Sequence, residues 1–141
     1  DLLQRGISLR CWEKKSQKHI WHPLFIAGQP WPTTKPLEIV LTASKNNQLE
    51  IELVLGEEEL DDSHEVTYVN GVPIIKEYLA KGKVSAWGGE AKNIKLAVPG
   101  KPGEDCIRLS FTINKDCFLV VAGKDLRTGE PIEQQILGSI R

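Results

Sequence analysis

An antiparallel β-sandwich is the fold class this sequence predicts, on three observations. Apolar and polar residues alternate along Leu49-Glu50-Ile51-Glu52-Leu53-Val54-Leu55 and again along Ile107-Arg108-Leu109-Ser110-Phe111-Thr112-Ile113. Period two is the signature of a strand with one buried face, because successive side chains point to opposite sides of a sheet. About eight short runs of strand character are separated by Gly, Pro and Asn turn signals, the rhythm of a sandwich. Pro23, Pro30, Pro32 and Pro36 exclude a helix between His22 and Leu37, since each ring removes a backbone donor and clashes with the preceding turn.

Taken in order, Arg10 to Ile20 reads as a loop, with Trp12 set among Glu13, Lys14 and Lys15. Leu37 to Thr42 reads as a strand paired with Leu49 to Leu55, and Ser44-Lys45-Asn46-Asn47-Gln48 as the hairpin loop between them. Glu65 to Val69 and Val72 to Lys76 flank Asn70-Gly71, a dipeptide that favours the type I′ turn whose twist matches paired strands. Only Ile74 to Lys81 has room for one or two helical turns, stopped by Gly82. The strand Ile107 to Ile113 is followed by a turn at Asn114-Lys115-Asp116. The continuous apolar run Cys117 to Ala122 then predicts a strand covered on both sides. A turn at Arg127-Thr128-Gly129-Glu130 precedes a last strand over Pro131 to Ile140.

The 141 residues fit one domain, 1–141, large enough to bury a core without metal or disulfide staples. A formal net charge of −1 argues against a general nucleic-acid binder, which presents a basic face. No apolar run is long enough to suggest a membrane span, and the opening residues do not read as a signal peptide. The start at Asp1, without Met, predicts a fragment of a longer protein. Three widely spaced cysteines with no CxxC predict free thiols and a cytosolic setting.

Catalytic chemistry finds no constellation. GxSxG, P-loop, GxGxxG and HExxH patterns do not occur, and Asp61-Asp62 beside His64 reads as a solvated turn. His19 and His22, three apart in a strand, point to opposite faces and have no third ligand nearby in sequence, so no metal site is predicted. Cys106 and Cys117 flank the predicted hairpin unequally, which argues against a disulfide between them. Trp12, Trp21, Trp31 and Trp87 read as core or end-covering residues, except Trp12, whose charged neighbours suit a recognition loop.

Two segments resemble the substrate-binding β-sandwich of the seventy-kilodalton heat-shock chaperones, the DnaK type. One is Phe25-Ile26-Ala27-Gly28-Gln29 through Pro32-Thr33-Thr34-Lys35, on through Thr42-Ala43 and Asn46-Asn47-Gln48 to Leu55-Gly56-Glu57. The other is Ile107 to Ile113, then Phe118 to Asp125, Thr128-Gly129 and Gln134-Gln135. Asp1 to Leu9 is similar to the end of the interdomain linker and the first strand. The resemblance covers about half the chain, in order.

That resemblance implies a domain which holds an extended, apolar peptide of an unfolded client between loops at one end of the sandwich. Backbone hydrogen bonds supply affinity and a pocket selects a central aliphatic side chain. Carried over by position, the pocket residues are Leu9, Val40, Leu49, Ile51 and Ile107, with Ala43 in the arch over the peptide. ATP and co-chaperones enter only through an ATPase domain which, like the helical lid, lies outside this chain. The sequence departs from the family in its longer first loop, in Gly28 where a coupling lysine is usual, and in an insertion at about 58–96 carrying an extra hairpin. The alternative function is an adaptor or regulatory sandwich that binds one particular protein.

Overall fold

A computed structural model describes residues 1–58 and 92–140, together with the backbone of 66–69, 72–75 and 84–86. Eleven strands run through the described residues. They are β1 Gly6–Glu13, β2 Lys18–Phe25, β3 Leu37–Thr42, β4 Gln48–Glu58, β5 Val66–Val69, β6 Val72–Ile75, β7 Val84–Ala86, β8 Lys92–Gly100, β9 Asp105–Ile113, β10 Phe118–Asp125 and β11 Pro131–Ser139. One sheet has the order β2-β1-β4-β7, with β8 also paired to β4; the other runs β11-β10-β9-β3. All pairings are antiparallel. The chain is thus an all-β protein whose two main sheets make a sandwich.

The two alternating segments supply opposite sides of one core. Ile51 and Leu53 of β4 face Ile107, Leu109, Phe111 and Ile113 of β9, and Leu9, Phe25, Leu119 and Val121 complete the buried cluster. The hairpin of β9 and β10 forms as the sequence predicts, with Leu119 opposite Ile113 and Asp125 opposite Ile107. Its turn is tied by Asn114, whose Oδ1 accepts from the backbone N–H of Asp116 and of Phe118, both at 3.0 Å. In β10 the apolar run is covered nearly as predicted, for Leu119, Val120 and Val121 are all buried, while Phe118 is exposed.

Two pairings differ from the sequence reading. The strand Leu37–Thr42 does not pair with β4; it is the edge partner of β9, with Leu41 opposite Ile107. Ser44–Asn47 therefore crosses between sheets and is not a hairpin loop. Alternation fixes which face of a strand turns inward, but two strands with one apolar face each satisfy it equally by pairing or by stacking. Arg10–Ile20 is no loop either: β1 runs on to Glu13 and β2 begins at Lys18, with Trp12 opposite His19 and Glu13 opposite Lys18. The ladder outlasts the charged residues because an edge hairpin tolerates polar side chains on both faces.

Within 58–96 the two short strands β5 and β6 pair as predicted, Val69 opposite Val72. By contrast β7 and β8 belong to the first sheet. The Asn70-Gly71 turn, residues 76–82 of the helical expectation, Asp61-Asp62-His64 and Trp87 lie outside the described residues. Gly28 has φ 86° and donates its N–H to the Leu3 carbonyl at 2.7 Å. That left-handed backbone disfavours any side chain with a Cβ, a lysine included, which accounts for the glycine there.

Candidate functional site

The ladder between β1 and β4 stops at Arg10 opposite Val54. Beyond that rung β4 turns its pairing to β8, through Leu53 to Gln48, while β1 continues only with β2. A wedge opens where the two strands part, and it holds a groove of about 460 Å³. Arg10, Cys11 and Trp12 of β1 with His19 of β2 form one wall. Ile51, Glu50, Glu52 and Val54 of β4 form the other, and Leu41, Thr42, Ser44 and Lys45 close the end.

Trp12 is half-buried. Its ring meets His19 edge-on with centroids 5.2 Å apart, a favourable arrangement for two π systems. The end wall is organised by Gln48, a buried side chain that the sequence reading assigned to a polar loop. Its Oε1 accepts from the N–H of Ser44 at 2.8 Å and of Lys45 at 3.3 Å, and its Nε2 donates to the Glu50 carbonyl at 2.9 Å. One amide thus supplies the bonds that the crossing loop lacks as a non-hairpin.

Only some of the sequence-predicted pocket residues come together here. Ile51 and Trp12 line the groove. Leu9 and Ile107 are fully buried between the sheets, so they support the groove from the core and do not line it. Ala43 is also fully buried: its N–H donates to the Glu104 carbonyl at 3.0 Å and its carbonyl accepts from Gly103 at 2.8 Å. It anchors the crossing loop.

Val40 is 41 % exposed and lies opposite Arg108 on the outer face of the second sheet. Strand parity makes this inevitable, because Leu37, Ile39 and Leu41 take the inward positions of β3. Leu49 is 66 % exposed and borders a separate hollow with Lys95 and Leu96. The β4–β8 register shifts between Gln48 and Glu50, and this irregularity turns Gln48 inward and Leu49 outward, against the simple alternation. Leu49→Asp is accordingly expected to change stability by no more than about 0.5 kcal/mol in urea unfolding, as surface substitutions do.

The groove is more polar than the resemblance implies. Arg10, Lys45, Glu50 and Glu52 are exposed on its walls. Cys11 also borders it, and burial, then the charge of Glu13, pushes its thiol above the ordinary value. Burial likewise raises Cys106, against the opposing pull of Arg127. Both thiols therefore stay protonated and weakly nucleophilic at neutral pH. All three cysteines are free, and among the described residues no three His, Cys, Asp or Glu side chains gather as a metal site.

Beneath the end wall lies an ion-pair cluster that sequence reasoning missed. Arg127 reaches Asp125 at 3.1 Å and Glu104 at 3.2 Å, with its side chain 14 % exposed. It also donates to the Pro99 carbonyl at 3.4 Å. The carboxyl of Asp125 additionally accepts the backbone N–H of Arg127 at 2.8 Å and of Thr128 at 3.3 Å. The signal was present as Asp125 with Thr128-Gly129, which the sequence marks only as a turn. No protein-family model matches the chain, and no curated protein matches its sequence.

Proposed function

We propose that the chain is a peptide-binding β-sandwich of the DnaK-like chaperone type, holding an extended segment of an unfolded protein in the groove between β1 and β4. The observation that carries this reading is the parting of those strands after Arg10 and Val54. Beyond that rung β1 pairs only with β2, beside a space lined by Trp12 and Ile51. An extended peptide pairs its backbone with a strand edge irrespective of sequence, while its side chains choose among pockets. The sheet β2-β1-β4-β7, with β8 also paired to β4, against β11-β10-β9-β3 is compatible with the two resembling segments.

Trp12 is the expected anchor, since a rigid aromatic in a partly desolvated wall is where binding energy concentrates. Titrating a fluorescein-labelled, Leu-rich extended peptide is expected to give saturable anisotropy, weakened about tenfold in Trp12→Ala. A folded domain that shows no saturable binding refutes the proposal.

The charged walls favour a second reading, an adaptor that recognises one protein. Arg10, Lys45, Glu50 and Glu52 would then read a charge pattern. Under that reading, permuting the peptide sequence at constant composition abolishes binding, whereas a chaperone-type groove tolerates it.

A further inference from the structure

We infer that Asp105 and Lys14 are positioning residues for the groove, acting as a strap that holds the β1–β2 hairpin against the opposite sheet. This rests on the reading of that groove as a peptide site. Past Arg10 the hairpin has no ladder to β4. There Cys11 packs against the core, and polar contacts reach from the hairpin to the second sheet. Lys14 Nζ lies 2.7 Å from Asp105 Oδ1, and the Thr42 hydroxyl points at the Trp12 carbonyl at the long distance of 3.5 Å. The ion pair is the stronger tie, because the hydroxyl contact is beyond good hydrogen-bond geometry.

Asp105 is well placed for this task because its turn also holds the groove's end wall. The neighbouring Glu104 accepts the Ala43 N–H at 3.0 Å, and Gly103 donates to the Ala43 carbonyl at 2.8 Å. The same turn is pinned from below by Arg127 on Glu104 at 3.2 Å. The hairpin wall and the loop wall are thus referred to one short segment, residues 101–105, and the groove's width is set by whether the hairpin stays tied to it. Both partners of the strap are about half exposed, at 51 % and 52 %. A pair of that kind is modest in strength and screened by salt. It is therefore suited to opening for ligand entry and not to locking the hairpin shut.

The test uses Asp105→Asn and the charge-exchanged double variant Lys14→Asp with Asp105→Lys. Two quantities are read: amide hydrogen exchange across Cys11–Ile20, and the dissociation rate of the Leu-rich probe peptide. Asp105→Asn is expected to raise both by about two- to fivefold, the range an exposed pair supports. The melting temperature and exchange in β9 stay unchanged, and the exchanged pair restores the wild-type values. High salt reproduces the Asp105→Asn behaviour in the wild type. Unchanged hairpin exchange in Asp105→Asn, or no restoration by the exchanged pair, overturns the strap. If hairpin exchange responds as expected but no peptide binds the wild type, the strap stands as a structural tie and the peptide reading falls. If peptide binds and neither rate responds, the strap alone is wrong.

Discussion

Arg127→Ala is expected to destabilise the domain by about 3 kcal/mol, the lower end of the cost of leaving a buried charge without its partner. Asp125 is 5 % exposed and stands opposite Ile107 at the end of β10. Without the guanidinium its carboxylate keeps only the backbone donors of residues 127 and 128. Glu104 loses its ion-pair partner in the same step and keeps the Lys101 N–H. Urea unfolding at neutral pH measures the loss, and an unchanged midpoint would falsify the assigned role.

The pair also sets how the domain responds to acid. Hydrogen bonds from the Arg127 side chain, ahead of the opposing effect of burial, hold the Asp125 carboxyl below its ordinary value. A carboxyl lowered in the folded state contributes stability that is complete above about pH 4 and disappears as pH falls through the lowered value. Wild-type stability should therefore drop in that acid window. In Arg127→Ala the drop should be shallower, since less of the lowering remains to be lost.

Gly123→Ala is the second large effect, again about 3 kcal/mol, the upper end of the usual overpacking range. Gly123 lies opposite Leu109 in the β9–β10 ladder. A methyl group there would collide with the Arg108 carbonyl oxygen and stand 2.9 Å from a Leu109 methyl carbon. The first obstacle is backbone in the centre of a sheet, which cannot swing aside as a flexible side chain does. The strands must separate locally, and Leu109, fully buried, must leave its place in the core. Thermal unfolding of the variant reads the cost directly; a loss below about 1 kcal/mol would mean the ladder has slack that overpacking does not find in tight cores.

The all-β class, the β9–β10 hairpin, the β5–β6 pairing and the last strand were legible in the sequence for a common reason. Each depends on contacts between residues close in the chain or on a face pattern written locally as Leu53, Leu109 or Phe111 alternating with polar neighbours. Turn chemistry is similarly local: Asn114 ties its own turn through donors two and four residues on. The partner of β3 was not legible, because Leu37, Ile39 and Leu41 require a buried face and say nothing about which strand lies beside them. Leu49 was misread for a related reason, since one register shift opposite β8 inverts the face of its neighbours without changing their composition.

For the candidate site, its charged neighbours drew attention to Trp12 and the family resemblance implied Ile51, and both line the groove. Of the other pocket residues that the resemblance implies, Leu9 and Ile107 lie in the core, and Val40 and Leu49 are exposed. Taken alone, the sequence determined the β-character of this chain, the inward faces of its main strands and the positions of its principal turns, all short-range properties of side-chain period and backbone freedom. Only the tertiary structure decided that β1 and β4 part company after Arg10, and that Lys14, ninety-one positions from Asp105, ties the hairpin across. Where strands stop pairing, and which charges then meet, depends on how two whole sheets stack, and no local pattern carries that information.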